Sequence, residues 1–361
     1  MPLDHDLLYR RFRNGLNLGG WLSQFEIDLP GPLTPAERRD HFSQFITRSD
    51  MARISDWGFD HIRLCIDGRP LTEAGPGQPL NADFLSVIDR CLDWCDQFKL
   101  NAILDLHDFH GHEWGKMDQL VPLLSDPAIA DHFIATWEKL ARHVLDRHEQ
   151  TIMLELLNEV SDASGTRWNN LVSETIKAVR RIDPERWILV GSNGQNGVNY
   201  LHQLRLPDDP RVFATFHYYE PQAFTHQRAH FSPEHKEFNK ALSYPGDLDE
   251  FGAFISTKPE YRIKHELARG ESRNDRNLME RLLSPAAAFT ETTGVGLYCG
   301  EFGVIDSANL ADAARWVEDF VNWAERHRVG RALWTYKDRD FGLVRADGSL
   351  RAGLVLKALS K

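Results

Sequence analysis

Eight short apolar runs, separated mostly by longer stretches of helical period, constrain the fold of this chain more than any other feature. They are "GLNLGGWL", "DHIRLCID", "NAILDLH", "TIMLELLNE", "RWILVGS", "RVFATFHYY", "GLYCGEFG" and "RALWTYKD". Between them lie segments such as "ADFLSVIDRCLDWCDQF" and "DHFIATWEKLARHVLDRH", whose apolar residues recur three and four apart, as on an amphipathic helix. Continuous apolar runs alternating with such helices imply buried parallel strands joined by right-handed crossovers. The sheet is then either open and doubly wound or closed into a barrel, and eight units favour the closed α/β form, a single (β/α)8 TIM barrel. One long irregular stretch, about residues 220–277, follows the sixth run and reads as a loop insertion forming part of the substrate cleft. A chain of 361 residues could hold two domains, but no repeat or low-complexity linker divides it, so one domain over 1–361 is expected.

The charge balance narrows the partners. With 53 acidic against 42 basic side chains the net charge is −11, which argues against nucleic acid and anionic membrane as partners and suits a neutral one. No window approaches 18 uninterrupted apolar residues, and the N-terminus lacks a signal-peptide core. The expectation is a monomer, either cytoplasmic or secreted with its leader removed. The ten Trp have two common uses, filling cores and stacking on flat ligand faces such as sugar rings. Cys65, Cys91, Cys95 and Cys299 lie in apolar segments without a zinc-type CxxC pair and read as buried thiols.

In a barrel of this kind the active site is assembled at the C-terminal ends of the strands. The polar residues there are Arg63 after strand two, His107 after three, Asn158 and Glu159 after four, His217 and Tyr219 after six, Glu301 after seven and Trp334 at eight. Each alone has a bland explanation. An Asn-Glu pair commonly starts a helix, a lone His on an apolar strand is commonly a satisfied core residue, and a lone Trp commonly fills a core. Together they are harder to dismiss, because strands four and seven lie roughly opposite across the barrel and each brings a Glu to the same mouth. Two close carboxyls push their pKa values apart, leaving one protonated and one ionised, which is the pairing that glycoside hydrolysis uses.

The stretch "DLHDFHGHEW" invites a metal, since His107, His110 and His112 fall within six positions. In register with the barrel, only His107 sits where strand three ends. His110 and His112 belong to the loop beyond, and Trp114 is either an outer sugar platform or loop packing. No metal and no cofactor is expected.

These motifs taken in order, "GLNLGGW", "DLH", "LELLNEV", "FHYYEP" and "YCGEFG", resemble glycoside hydrolase family 5, the cellulase-type retaining β-glycosidases of the large barrel clan. The resemblance runs from strand one to strand eight. It implies Glu159 as general acid/base and Glu301 as nucleophile, with Asn158 bonding the sugar 2-hydroxyl and Arg63 and Tyr219 holding Glu301. His107 and His217 would contact sugar hydroxyls or the acid/base, and Trp334 would underlie a sugar. The chain departs from the family at Val160, where Pro is common, and in the length of the 220–277 stretch. The substrate implied is a β-glucan, with an endo-β-1,4-glucanase expected ahead of an exo-β-1,3-glucanase or β-glucosidase. A non-catalytic carbohydrate-binding barrel and a metal-dependent barrel hydrolase are the readings from other classes.

Overall fold

Each of the eight apolar runs forms one strand. The computed structural model describes residues 5–27, 29–112, 120–148, 151–261 and 270–359. Among them the parallel strands β1 (Asn14–Asn17), β2 (His61–Asp67), β3 (Asn101–Asp108), β4 (Ile152–Glu155), β5 (Trp187–Gly191), β6 (Val212–Tyr218), β7 (Leu297–Phe302) and β8 (Gly330–Leu333) pair in sequence, and β8 pairs with β1 to close a barrel. Two boundaries differ from the sequence expectation. β4 ends at Glu155, so Asn158 and Glu159 lie beyond it, on backbone still tied to the sheet by Leu156 N–H to Leu189 O (3.0 Å) and Asn158 N–H to Leu106 O (2.9 Å). Arg63 is the third residue of β2 and not its end, so its long side chain has to reach up the barrel axis.

Side chains alternate across a strand, so every second residue enters the barrel. At the bottom these are apolar: Ile103, Met153, Leu189, Phe213 and Tyr298 form one buried cluster with Leu8 and Phe12, which follow the chain in through the short helix His5–Arg11. One layer higher the same alternation brings in Arg63, Asp105 and Glu155, all fully buried. The barrel therefore carries a charged floor directly under its mouth.

The outer helices follow the apolar stripes. Helices α1 (Ala82–Phe98), α2 (Pro127–His143), α3 (Thr166–Arg180) and α4 (Leu310–Arg326) pack around the barrel, three of them capped by Asn81, Asp126 and Asn309 side chains that accept from first-turn amides. On α1 the buried positions Phe84, Val87, Ile88, Cys91, Leu92 and Cys95 recur three and four apart, and all four cysteines are buried and unbridged. Trp137, Trp168 and Trp316 fill the gap between helices and strands. Each also donates its indole N–H to a carbonyl at the mouth: Leu156 (3.0 Å), Gly191 (2.9 Å) and Glu220 (3.3 Å) respectively. The helices thus fix the loops that carry the site.

The stretch after β6 is more ordered than its sequence suggests. It holds helices Pro233–Phe238 and Asp249–Ser256 and an antiparallel pairing of Gly246–Asp247 with Arg273–Asn274. Ala223, Leu248, Phe251, Ile255 and Leu278 give it an apolar cluster of its own. It is tied to the barrel by Ile305 N–H to Thr225 O (2.9 Å) and Ser307 Oγ–H to Gln227 O (2.7 Å). No helix among the described residues is long and apolar enough to cross a membrane.

Candidate active site

Arg63 organises the mouth of the barrel. From the middle of β2 its guanidinium donates through Nε (2.7 Å) and Nη2 (2.9 Å) to the two oxygens of Glu155. Nη2 also reaches Asn158 Oδ1 (2.9 Å) and lies 3.1 Å from Asp105 Oδ2. Nη1 donates to Asn17 Oδ1 and to Glu301 Oε1, both at 2.9 Å. One buried cation thus meets three carboxylates, and a planar fork with five N–H donors is the group suited to that task.

Glu301 stands near the end of β7, in register with His217 of β6, where the pairing slips at a bulge. Its second oxygen accepts from the Tyr219 hydroxyl at 2.9 Å, so Arg63 and Tyr219 hold one carboxylate oxygen each. Glu159 sits across the mouth at a left-handed backbone position, φ 47°. His217 lies between the two, its Nδ1 3.0 Å from Glu159 Oε1 and 3.7 Å from Glu301 Oε2. Oxygens of Glu159 and Glu301 approach within 4.8 Å of each other.

The electrostatics differ between members. Crowding away from water raises the Glu159 carboxyl above its ordinary value, although its side chain keeps 23% exposure toward the cleft. Burial lowers His107 and His217 to about 4, outweighing the pull of the nearby Glu301, so both rings are neutral at neutral pH. Burial lifts Asp105 to about 7 against the opposing pull of Arg63. Two further carboxylates beside one guanidinium make that proton the least costly way to limit negative charge in the barrel.

The eight residues Arg63, His107, Asn158, Glu159, His217, Tyr219, Glu301 and Trp334 therefore converge at one mouth. His107 Nδ1 donates to Asp105 Oδ2 (2.7 Å), and its ring lies parallel to the Trp334 indole, centroids 5.5 Å apart. Trp334, just past β8, is 7% exposed and packs over Gly19, where a Cβ would fall 2.6 Å from the indole. The other two histidines of the cluster turn elsewhere. His110 Nε2 lies 2.9 Å from Thr72 Oγ1, whereas His112 Nε2 is 3.5 Å from the Glu159 carbonyl and so stands closer to the site than its loop position suggested. Trp114 lies outside the described residues.

Two groups have metal-ligand types in reach of one another among the described residues: Cys65, Asp105 and His107, and Glu159, His217 and Glu301. The first already has the Arg63 cation against its Asp105, and the second is the pair of carboxylates with the ring between them. Asn17, Asp105, Glu155 and Asn196 escaped the sequence analysis, which weighed only the ends of the runs. The alternation within the runs was the available signal, since Arg63, Asp105 and Glu155 are interior positions of apolar strands.

Against known proteins, the model of the cellulase family, glycosyl hydrolase family 5, matches residues 24–340. The chain belongs to this family. It is 37% identical over 337 residues to Endoglucanase C of Acetivibrio thermocellus, covering 93% of this chain and 94% of that one. Cellodextrinase A of Ruminococcus flavefaciens is 31% identical, with 88% and 83% covered. Among solved structures, Cel5A of Thermotoga maritima, determined with cellobiose, superposes with a TM-score of 0.77 at 20% identity over 99% of this chain and 100% of that one, a likeness of fold. As a family 5 member the chain is a glycoside hydrolase whose substrate is a β-glucan, and the converged site lies within the matched segment.

Proposed function

We propose that this family 5 enzyme is a retaining endo-β-1,4-glucanase in which Glu301 is the nucleophile and Glu159 the acid/base. The approach of the two carboxylates to within 4.8 Å carries the reading. Retaining enzymes set the two groups about 5 to 5.5 Å apart, whereas inverting ones leave about 6.5 to 9.5 Å for a water. Glu301, held in place by hydrogen bonds from Arg63 and Tyr219, attacks the anomeric carbon as Glu159 gives its proton to the departing glycosidic oxygen. The glycosyl ester on Glu301 is then broken by a water that loses its proton to Glu159. Asn158 offers Nδ2 toward the 2-hydroxyl because its Oδ1 is committed to Arg63. The Trp334 indole supplies an apolar face to the sugar ring.

The endo-acting part of the reading is supported by the 37%-identical relative, an endoglucanase, and the β-1,4 part by the match to the cellulase family. The stretch after β6 forms one wall of the cleft in this reading, supported by the edge-on packing of His226 against Tyr219 at 5.1 Å.

A 2-fluoro cellobioside inactivator is expected to label the peptide carrying Glu301, and Glu301→Ala to abolish turnover of aryl β-cellobiosides. A label on another carboxylate, or an active variant, would overturn the assignment. On soluble cellulose, viscosity is expected to fall well before free glucose accumulates; glucose as sole early product would mean exo-action.

A further inference from the structure

We infer that Asn196 is a positioning residue that fixes the tautomer of His217 and thereby keeps the Glu159 proton available to the leaving group. This rests on Glu159 being the acid/base. Asn196 is fully buried beyond β5, with its amide Nδ2 3.1 Å from His217 Nε2. The other ring nitrogen, Nδ1, faces carboxylate oxygens of Glu159 at 3.0 Å and Glu301 at 3.7 Å. A bare lone pair there would oppose both, so Nδ1 carries the hydrogen. A neutral imidazole then leaves Nε2 as an acceptor in need of a donor, and the Asn196 amide provides it.

The backbone is shaped for this contact. Gly194, Gln195 and Asn196 are three successive left-handed residues, φ 60°, 59° and 55°. Non-glycine residues held in that region cluster where a site demands it. Gln195 N–H donates to Val160 O at 3.0 Å, which clamps the turn to the residue after Glu159. Gly191 makes room for the amide, since a Cβ there would fall 2.3 Å from Asn196 Oδ1.

The consequence concerns where the acid's proton can go. With Nδ1 already hydrogen-bearing, protonated Glu159 cannot donate to His217 and its O–H is left for the glycosidic oxygen. After that transfer the same Nδ1–H steadies the carboxylate. Without Asn196, the ring can move its hydrogen to Nε2 and accept a hydrogen bond from the Glu159 O–H at Nδ1, which stabilises the protonated acid and turns its proton away from the glycosidic oxygen. The other groups acting on the pair are Glu301 from β7, Glu155 from β4, Arg63 from β2, Asp105 and His107 from β3, His112 from the loop after β3 and Tyr219 just after β6, all unchanged by substitution at 196.

The test compares kcat/KM for cellotetraose, whose leaving alcohol needs protonation, with that for 2,4-dinitrophenyl β-cellobioside, whose leaving group does not. A general acid contributes about 10²- to 10⁴-fold, so Asn196→Ala is expected to lower the first at least about tenfold while changing the second less than about twofold. The basic limb of the cellotetraose profile should move to higher pH. Asn196→Asp, nearly isosteric, places a carboxylate at Nε2 and draws a second proton onto the ring, so its limb should move to lower pH. Equal losses on both substrates, or limbs moving the same way in both variants, would overturn the inference. Glu159→Ala run alongside separates the two claims. If it shows no leaving-group dependence and no rescue by azide, the acid/base reading fails. If it shows both while Asn196→Ala shows neither effect, only the role of Asn196 fails.

Discussion

Tyr219 shows how much of this site depends on single donors. Its hydroxyl is the partner of one Glu301 oxygen, as Arg63 is of the other. A hydrogen bond to a charged group is worth about 1.5–3 kcal/mol, so Tyr219→Phe is expected to lower kcat/KM about ten- to a hundredfold. The melting temperature should change little, because the ring still packs on His226 and Phe341. A variant with wild-type kcat/KM would mean that Arg63 alone orients Glu301. Arg63 cannot be removed so gently, since its loss strands Asp105, Glu155 and Glu301 without their shared cation. Such residues were only partly legible in the sequence. Arg63 and Glu301 stand out in the sequence as polar residues taken to end apolar runs, but Asp105 and Glu155 inside the runs do not, because nothing local distinguishes a carboxylate bound to a distant guanidinium from one exposed to water.

At the scale of elements, the strands were readable because a buried parallel strand needs an apolar run and the helices between need a period of three and four. Their ends were less so: β4 stops at Glu155 while its apolar sequence continues to Leu157, on backbone still hydrogen-bonded to Leu189 and Leu106 of the neighbouring strands. The stretch after β6 looked irregular because its helices are short and its apolar residues are scattered, and only packing brings Ala223, Phe251 and Leu278 together. The turn after β1 shows the opposite case. "NLGGW" carries Gly19 directly beneath the Trp334 indole, and a Cβ at 2.6 Å must displace it. Overpacking of this kind costs about 1–3 kcal/mol, so Gly19→Ala should lower the melting temperature and reduce kcat/KM together as the indole shifts off His107. Unchanged values of both would show that the two loops slide apart freely.

For the molecule as a whole, acidity links the site to both rate and stability. In the proposed acid/base role Glu159 must be protonated, and its raised pKa extends that form toward neutral pH. Activity is then lost as pH climbs past that raised value, and replacing Glu159 with Gln should remove this basic limb. Stability has terms of both signs. His107 and His217 have folded values near 4, below the ordinary 6.5, so the unfolded chain takes up more protons and stability is lost as pH falls from 6.5 toward 4. Asp105 runs the other way. Its folded value near 7 exceeds the ordinary 3.8, so its contribution is present at low pH and fades as pH rises through 7. His217→Asn removes one of the opposing imidazoles, and the pH of highest melting temperature is expected to move downward. A shift upward would mean that His217 is charged in the folded protein.

The sequence by itself determined the architecture and the pair of glutamates at its mouth, because strand and helix periodicity is local and because the barrel dictates which strand ends meet. Only the tertiary structure decided what surrounds that pair: the Arg63 fork over three carboxylates, the neutral rings of His107 and His217, and the left-handed turn that presents Asn196. Those arrangements depend on distances between residues far apart in the chain, such as Arg63 and Glu301, and on the removal of water from the barrel. Neither quantity is set until the last strand closes on the first.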